Sequence, residues 1–172
     1  YKYNYNTMPM VLIRLPASAD HDFVLKEADG VVYTDPTIGA IDGTVVLWES
    51  RLCGDEDTNP SPTFVDTQIK DVFLFRGRLG FLAGENIILS EAGFYFNFWR
   101  TRVTNLMDSD PIDIASSYPQ ITLMKHAVPF SERLILFSDK VQFVLNAPTI
   151  LSGTTAALTP IANYDILSDC KP

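Results

Sequence analysis

The stretch from Asp71 to Trp99, DVFLFRGRLGFLAGENIILSEAGFYFNFW, restricts the fold more than any other part of the chain. It divides into four short apolar runs, Val72 to Phe75, Leu79 to Leu82, Asn86 to Leu89 and Phe94 to Trp99, and each break between them carries a glycine. Glycine tolerates the positive φ of tight hairpin turns. In the last run Phe94, Phe96 and Phe98 alternate with Tyr95, Asn97 and Trp99, the period of a strand. The stretch therefore predicts a four-stranded antiparallel meander, the shape of one propeller blade.

A second meander is predicted from Ile121, with runs Ile121 to Ala127, Leu134 to Phe137, Val141 to Leu145 and Thr155 to Leu158. Asp71 and Ile121 start the two units 50 residues apart, within the roughly 40–50-residue period of propeller blades. Arg78-Leu79-Gly80-Phe81 is echoed by Arg133-Leu134-Ile135-Leu136. Two unrelated meanders remain the alternative.

The first third reads as further β structure: Pro9 to Leu15, Phe23 to Glu27, Val31 to Thr34 and Thr44 to Ser50, with Tyr33 to Gly43 as a loop. The expected fold class is all-β, built of antiparallel, blade-like four-stranded meanders with long connecting loops. Residues 1–66 are expected to hold an N-terminal meander and a Pro-rich acidic loop, and residues 67–172 the two blade-like meanders. At 172 residues and 47% hydrophobic, the chain has material for a core. Two or three blades cannot close a ring, so a piece of a longer polypeptide is expected.

Two connecting loops are chemically distinctive. Gly54 to Pro62 carries Asp55, Asp57 and Asn59 among prolines, with Arg51 just upstream and placed to pair locally. Asp108, Asp110 and Asp113 surround Pro111, and Asp110-Pro111 resembles an N-cap followed by a first helical proline, which predicts one helical turn to Ser116. Arg51, Asp55, Asp57, Asn59, Asp108, Asp110 and Asp113 are accordingly the candidate assembly residues. Intrachain packing between sheets is the alternative use for both loops.

No catalytic, cofactor or metal site assembles from the sequence. Asp55, Asp57 and Asn59 have the opening spacing of an EF-hand loop, but Pro60 stands where the sharp turn needs glycine. Paired carboxylates held about 5–9 Å apart would suit glycan hydrolysis, yet these acids sit in turns whose separation no spacing sets. His21 and His126 stand outside any triad motif. Arg76 and Arg78 lie in hairpin sequence rather than a phosphate loop, and pairing with the Asp55 to Asp57 loop or a subunit contact is expected of them. With Tyr95 and Trp99 they also suggest a stacking platform.

The net charge of −8 opposes general affinity for nucleic acid. Cys53 and Cys170 are expected to be free thiols. No stretch nears the ~20 apolar residues of a membrane span, so stable membrane insertion is not expected.

Five motifs in fixed order point to a family: TMPMVLIR; W-x-x-R-x-x-G-D-x-D-T-N-P-x-P-x-F at Trp48 to Phe64; the Asp71 to Trp99 stretch; VTNLMDSDPIDIASS; and HAVPFSERLILFSDKVQFVL. From Met8 to about Ile166 the chain resembles the tail tubular protein B, or nozzle protein, family of T7-like short-tailed bacteriophages, whose members are several times longer. The resemblance implies a β-rich virion protein with a propeller-type domain, assembled in the host cytoplasm. It implies six copies around the distal tail tube, below a gatekeeper protein (tail tubular protein A) and beside tail fibres. Such a ring retains double-stranded DNA and then conducts it during ejection, without acting as an enzyme. Two other function classes remain open: a tail-associated polysaccharide-degrading enzyme using the loop carboxylates, and a carbohydrate-binding module using Tyr95 and Trp99.

Overall fold

The structure, a computed structural model, describes residues 8–15, 23–35, 39–41, 45–146 and 149–166. Among them all regular structure is β, and the chain divides into two compact units, Tyr1–Ser50 and Arg51–Pro172.

The first unit contains two small hairpins. Strands β1 (Val11–Arg14) and β2 (Phe23–Lys26) pair antiparallel with Leu12 opposite Leu25. Strands β3 (Thr34–Asp35) and β4 (Gly39–Ala40) pair within the segment expected to be a loop. The expected run at Thr44 to Ser50 contributes only an isolated bridge, Leu47 to Asp29; residues 42–44 lie outside the described set. Trp48 is buried and donates from Nε1 to the Pro9 carbonyl at 3.0 Å, tying the unit's two ends.

The second unit is built on two open four-stranded sheets. The first runs β5 (Ile69–Phe75), β6 (Arg78–Ala83), β7 (Asn86–Leu89) and β8 (Ile112–Ala115), in that order and antiparallel throughout. The second runs β9 (Met124–Phe130), β10 (Arg133–Ser138), β11 (Gln142–Asn146) and β12 (Ala157–Ala162). Its four strands fall on the four predicted runs, displaced by a few residues. Arg78 and Arg133, the heads of the sequence echo, open the second strand of each sheet.

The sheets bury a common core, Phe73, Leu82, Ile87 and Leu89 from one and Leu134, Leu136, Phe143 and Leu145 from the other. Period-two burial on β5 and β10 is what presents one apolar face to that core. The first strands of the two sheets lie side by side, and the Ala127 amide of β9 donates to the Asp71 carboxylate of β5 at 2.9 Å. Gly80 on β6 is required by packing: a Cβ there would stand 2.3 Å from the Phe73 ring. The opposite face of the first sheet is covered by an aromatic cluster in which Phe64, Phe81 and Phe98 lie 5.0–5.3 Å apart, centroid to centroid.

Two expectations are corrected. Phe94 to Trp99 is not the fourth strand of the first sheet. Its alternation would bury every second residue, whereas Asn97, Phe98 and Trp99 are buried consecutively and Phe94 and Tyr95 are exposed. The segment coils because the Asn97 side chain donates to the Glu91 carboxylate at 2.6 Å and the Asn97 amide to the Phe94 carbonyl at 3.2 Å. Strand β8 takes the place beside β7. It comes from the very residues expected to form a helical turn after Asp110-Pro111. The Asp110 carboxylate accepts from the upstream Met107 amide at 2.8 Å instead of capping downstream residues, and the branched Ile112 and Ile114 suit a strand.

Candidate assembly surface

The Pro-rich loop is closed by its own side chains. Asp55 accepts from the Asp57 amide at 3.2 Å and from the Thr58 amide and hydroxyl at 3.0 and 2.8 Å. The Thr58 hydroxyl and amide bonds hold the Asp55 carboxyl below its usual pKa. Glu56 accepts from the Ser61 amide and hydroxyl, chiefly through which its pKa also falls, and from Arg51 at 3.0 Å. The Arg51 guanidinium also donates to the Asn59 carbonyl at 2.9 Å and lies 5.2 Å from the Trp99 ring centroid. Arg51 therefore pairs locally, as expected, with Glu56 as its acid.

Asn59, buried at the end of this loop, acts as the link to the segment after Trp99. Its side-chain amide donates to the carbonyls of Cys53 and Arg100, both at 3.0 Å, and its oxygen accepts the Arg100 amide at 3.2 Å. The Asp55 bonds stay within the loop, whereas those of Asn59 reach out to Cys53 and Arg100. Asp57 is exposed on the turn.

Arg78 organises the other loop. It is 2% exposed, and its guanidinium donates to five main-chain carbonyls: Ser90 at 2.7 Å, Asp108 at 2.6 Å, Ser109 at 3.2 Å, Asp110 at 2.8 Å and Leu151 at 3.0 Å. Burial draws its pKa down, while the charges of Glu91 and Asp110 oppose that shift. Arg78 is thus not a partner of the Asp55 to Asp57 loop, which corrects the sequence expectation. Arg76 points elsewhere too, donating to the Glu132 carbonyl at 3.0 Å. A buried arginine bonded to carbonyls leaves no mark in sequence, since its acceptors belong to the main chain.

Asp108 and Asp110 are drawn together around Arg78 by their carbonyls; the Asp108 side chain is exposed and that of Asp110 buried. Asp113 stands apart on β8. Its carboxylate accepts from the Thr63 amide and hydroxyl at 2.9 and 3.0 Å and from the Asn86 side chain at 2.9 Å. Asn59 and Asp113 meet in a groove of about 360 Å³ between the Pro60 to Thr63 segment and β8, floored by Ile88 and Phe98. Trp99 is 3% exposed beneath Arg51, so it cannot pair with exposed Tyr95 in the stacking platform that the sequence suggested. His21 and Cys170 lie outside the described residues; Cys53 is a free thiol.

This geometry closes two long loops onto the first sheet. Its owner is identified by comparison with known proteins. Residues 1–172 match the sequence model of a family described as bacteriophage nozzle protein. The chain is 42% identical to the tail tubular protein gp12 of Escherichia phage T7 over 177 aligned residues, which cover 90% of this chain and 22% of that protein. It therefore spans about a fifth of the length of that relative. Matched along its whole length, the chain belongs to the bacteriophage nozzle protein family.

Proposed function

We propose that this chain is part of a structural subunit of a phage tail tube nozzle, located in the tail of the virion, whose copies close into a six-fold ring. The ring retains the genome before infection and conducts double-stranded DNA during ejection, below a gatekeeper protein and beside tail fibres. The observation that carries this reading is the family match along the entire chain, together with a relative named as a tail tubular protein.

The architecture supports the reading. Two antiparallel four-stranded sheets pack face to face with their first strands adjacent, the relation of neighbouring blades in a propeller. A charge of −8 suits a conduit, because clustered cations would hold phosphates and slow passage. The loop carboxylates bear structural duties: Asp55 and Asp113 accept main-chain and side-chain donors, and Asp110 is buried beside Arg78. That use favours a scaffold over a glycan-cleaving pair.

Gold-labelled antibody against this chain, applied to native particles and viewed by electron microscopy, tests the reading. Label at the distal tail is expected. Label confined to capsids or to free protein would overturn it.

A further inference from the structure

The hydrogen-bond phase of the first sheet leaves one edge open. The Ser116 amide donates to the Glu85 carbonyl at 3.2 Å, which makes that pair hydrogen-bonded in the β7–β8 register. Alternation in an antiparallel ladder then turns the main-chain groups of Ile112 and Ile114 toward β7, and those of Asp113 and Ala115 away from it. The same phase holds on the other side of β7, where the Ser90 amide donates to the Leu79 carbonyl at 2.8 Å. Among the described residues, the amides of Asp113 and Ala115 have no acceptor, and both residues are exposed.

The groove beside this edge is lined by Asp113 and Ala115 on one side and by Pro60 to Thr63 on the other. That opposite wall cannot itself complete the ladder. Pro60 and Pro62 have no N–H, and the Thr63 amide is already given to the Asp113 carboxylate. Exposed edges are commonly blunted by proline or lysine. The outer strand of the second sheet, β12, carries Pro160, whereas β8 reads Ile-Asp-Ile-Ala, carries neither, and has its one charge, Asp113, bonded to Thr63 and Asn86.

We propose that the β8 edge accepts an added β-strand from a second copy of this chain, and that the donor is the copy's β1–β2 ribbon. The ribbon is a two-stranded sheet with both outer edges unpaired among the described residues. Such ribbons are marginal alone. Leu12 and Leu25, directly opposite one another, are 64% and 59% exposed, so burial against another copy stabilises both edge and face. Main-chain bonds at Asp113 and Ala115 supply affinity, and side chains of the added strand reach the groove. Donor and acceptor are different surfaces, the condition for a head-to-tail contact that closes into a ring. The proposal rests on the ring reading above and assigns its contact.

Two variants separate the surfaces. Ala115→Pro removes the outward N–H and breaks only the acceptor, since that amide is not used by β7. Leu12→Asp with Leu25→Asp breaks only the donor. By sedimentation velocity, the unaltered chain is expected to self-associate with rising concentration, each variant to stay monomeric, and an equal mixture of the two variants to form dimers. In the unaltered chain, which does not depend on how the variants fold, amide exchange at Asp113 and Ala115 is expected to slow at least about tenfold on association.

A chain that stays monomeric, association undiminished by either variant, a mixture that remains monomeric, or amides that exchange as fast in the associated form would each overturn the proposal. A six-fold tail ring with an unpaired β8 edge would defeat this contact and leave the ring standing. Absence of the chain from tails would defeat the ring reading instead.

Discussion

The Arg78 guanidinium donates to the Asp110 carbonyl at 2.8 Å, and that bond fastens the start of β6 to the loop that delivers β8. The same cation holds the Leu151 carbonyl, between β11 and β12. One buried side chain thus links both sheets through main-chain acceptors rather than through an ion pair.

Arg78→Ala should therefore strand five carbonyls and leave a void, costing about 3–5 kcal/mol in chemical denaturation. Arg78→Lys keeps the charge but loses the planar fork, and should cost less, about 2–3 kcal/mol. Equal stability of both variants and the parent would show that the carbonyl cluster is satisfied without the guanidinium.

Gly80→Ala is expected to lower stability by about 1–3 kcal/mol, because the new methyl meets the Phe73 ring and Leu89 within the packed core. Thermal denaturation reads this directly. An unchanged Tm would mean that Phe73 moves aside at no cost.

How much of this was legible in the sequence depends on where each element finds its partners. Strands β6, β7, β10 and β11 were readable, because each is an apolar run bounded by turn formers and buried by its immediate neighbours in the chain. Strand β8 was not. Ile-Asp-Ile-Ala follows an Asp-Pro pair that imitates a helix start, and its partner β7 lies more than twenty residues upstream. Phe94 to Trp99 misled in the opposite direction: its aromatic alternation fits a strand, but Asn97 and Glu91 lock a turn that buries three consecutive residues. Of the candidate assembly residues, the pairing of Arg51 within its loop was foreseeable from proximity. The role of Asn59 depends on Arg100, forty-one residues away, and could not be read locally.

Asn59→Ala removes one donated and one accepted bond between the Pro-rich loop and Arg100, together with the bond donated to the Cys53 carbonyl at the base of the loop. A loss of about 1–3 kcal/mol is expected, with faster amide exchange at Arg100. Unaltered exchange there would show that the loop is held by Arg51 and Trp99 instead.

Acid should loosen the same loop. The folded-state pKa values of Asp55 and Glu56 are lowered, mainly by hydrogen bonds from Thr58 and Ser61. Their contribution is therefore fully present above the unfolded carboxylate pKa and is lost as pH falls through the depressed folded values. An NMR titration should show the Thr58 and Ser61 amides losing protection only below the ordinary carboxylate range. Loss of protection near neutrality would contradict this assignment.

A place in a structural ring of the phage tail, as proposed above, has a direct structural readout. A cryo-EM reconstruction of the native particle's tail tests it most directly, with the two four-stranded sheets located in the density. Six copies around the tail axis are expected. A tail without these sheets, or a single copy off the axis, would contradict it.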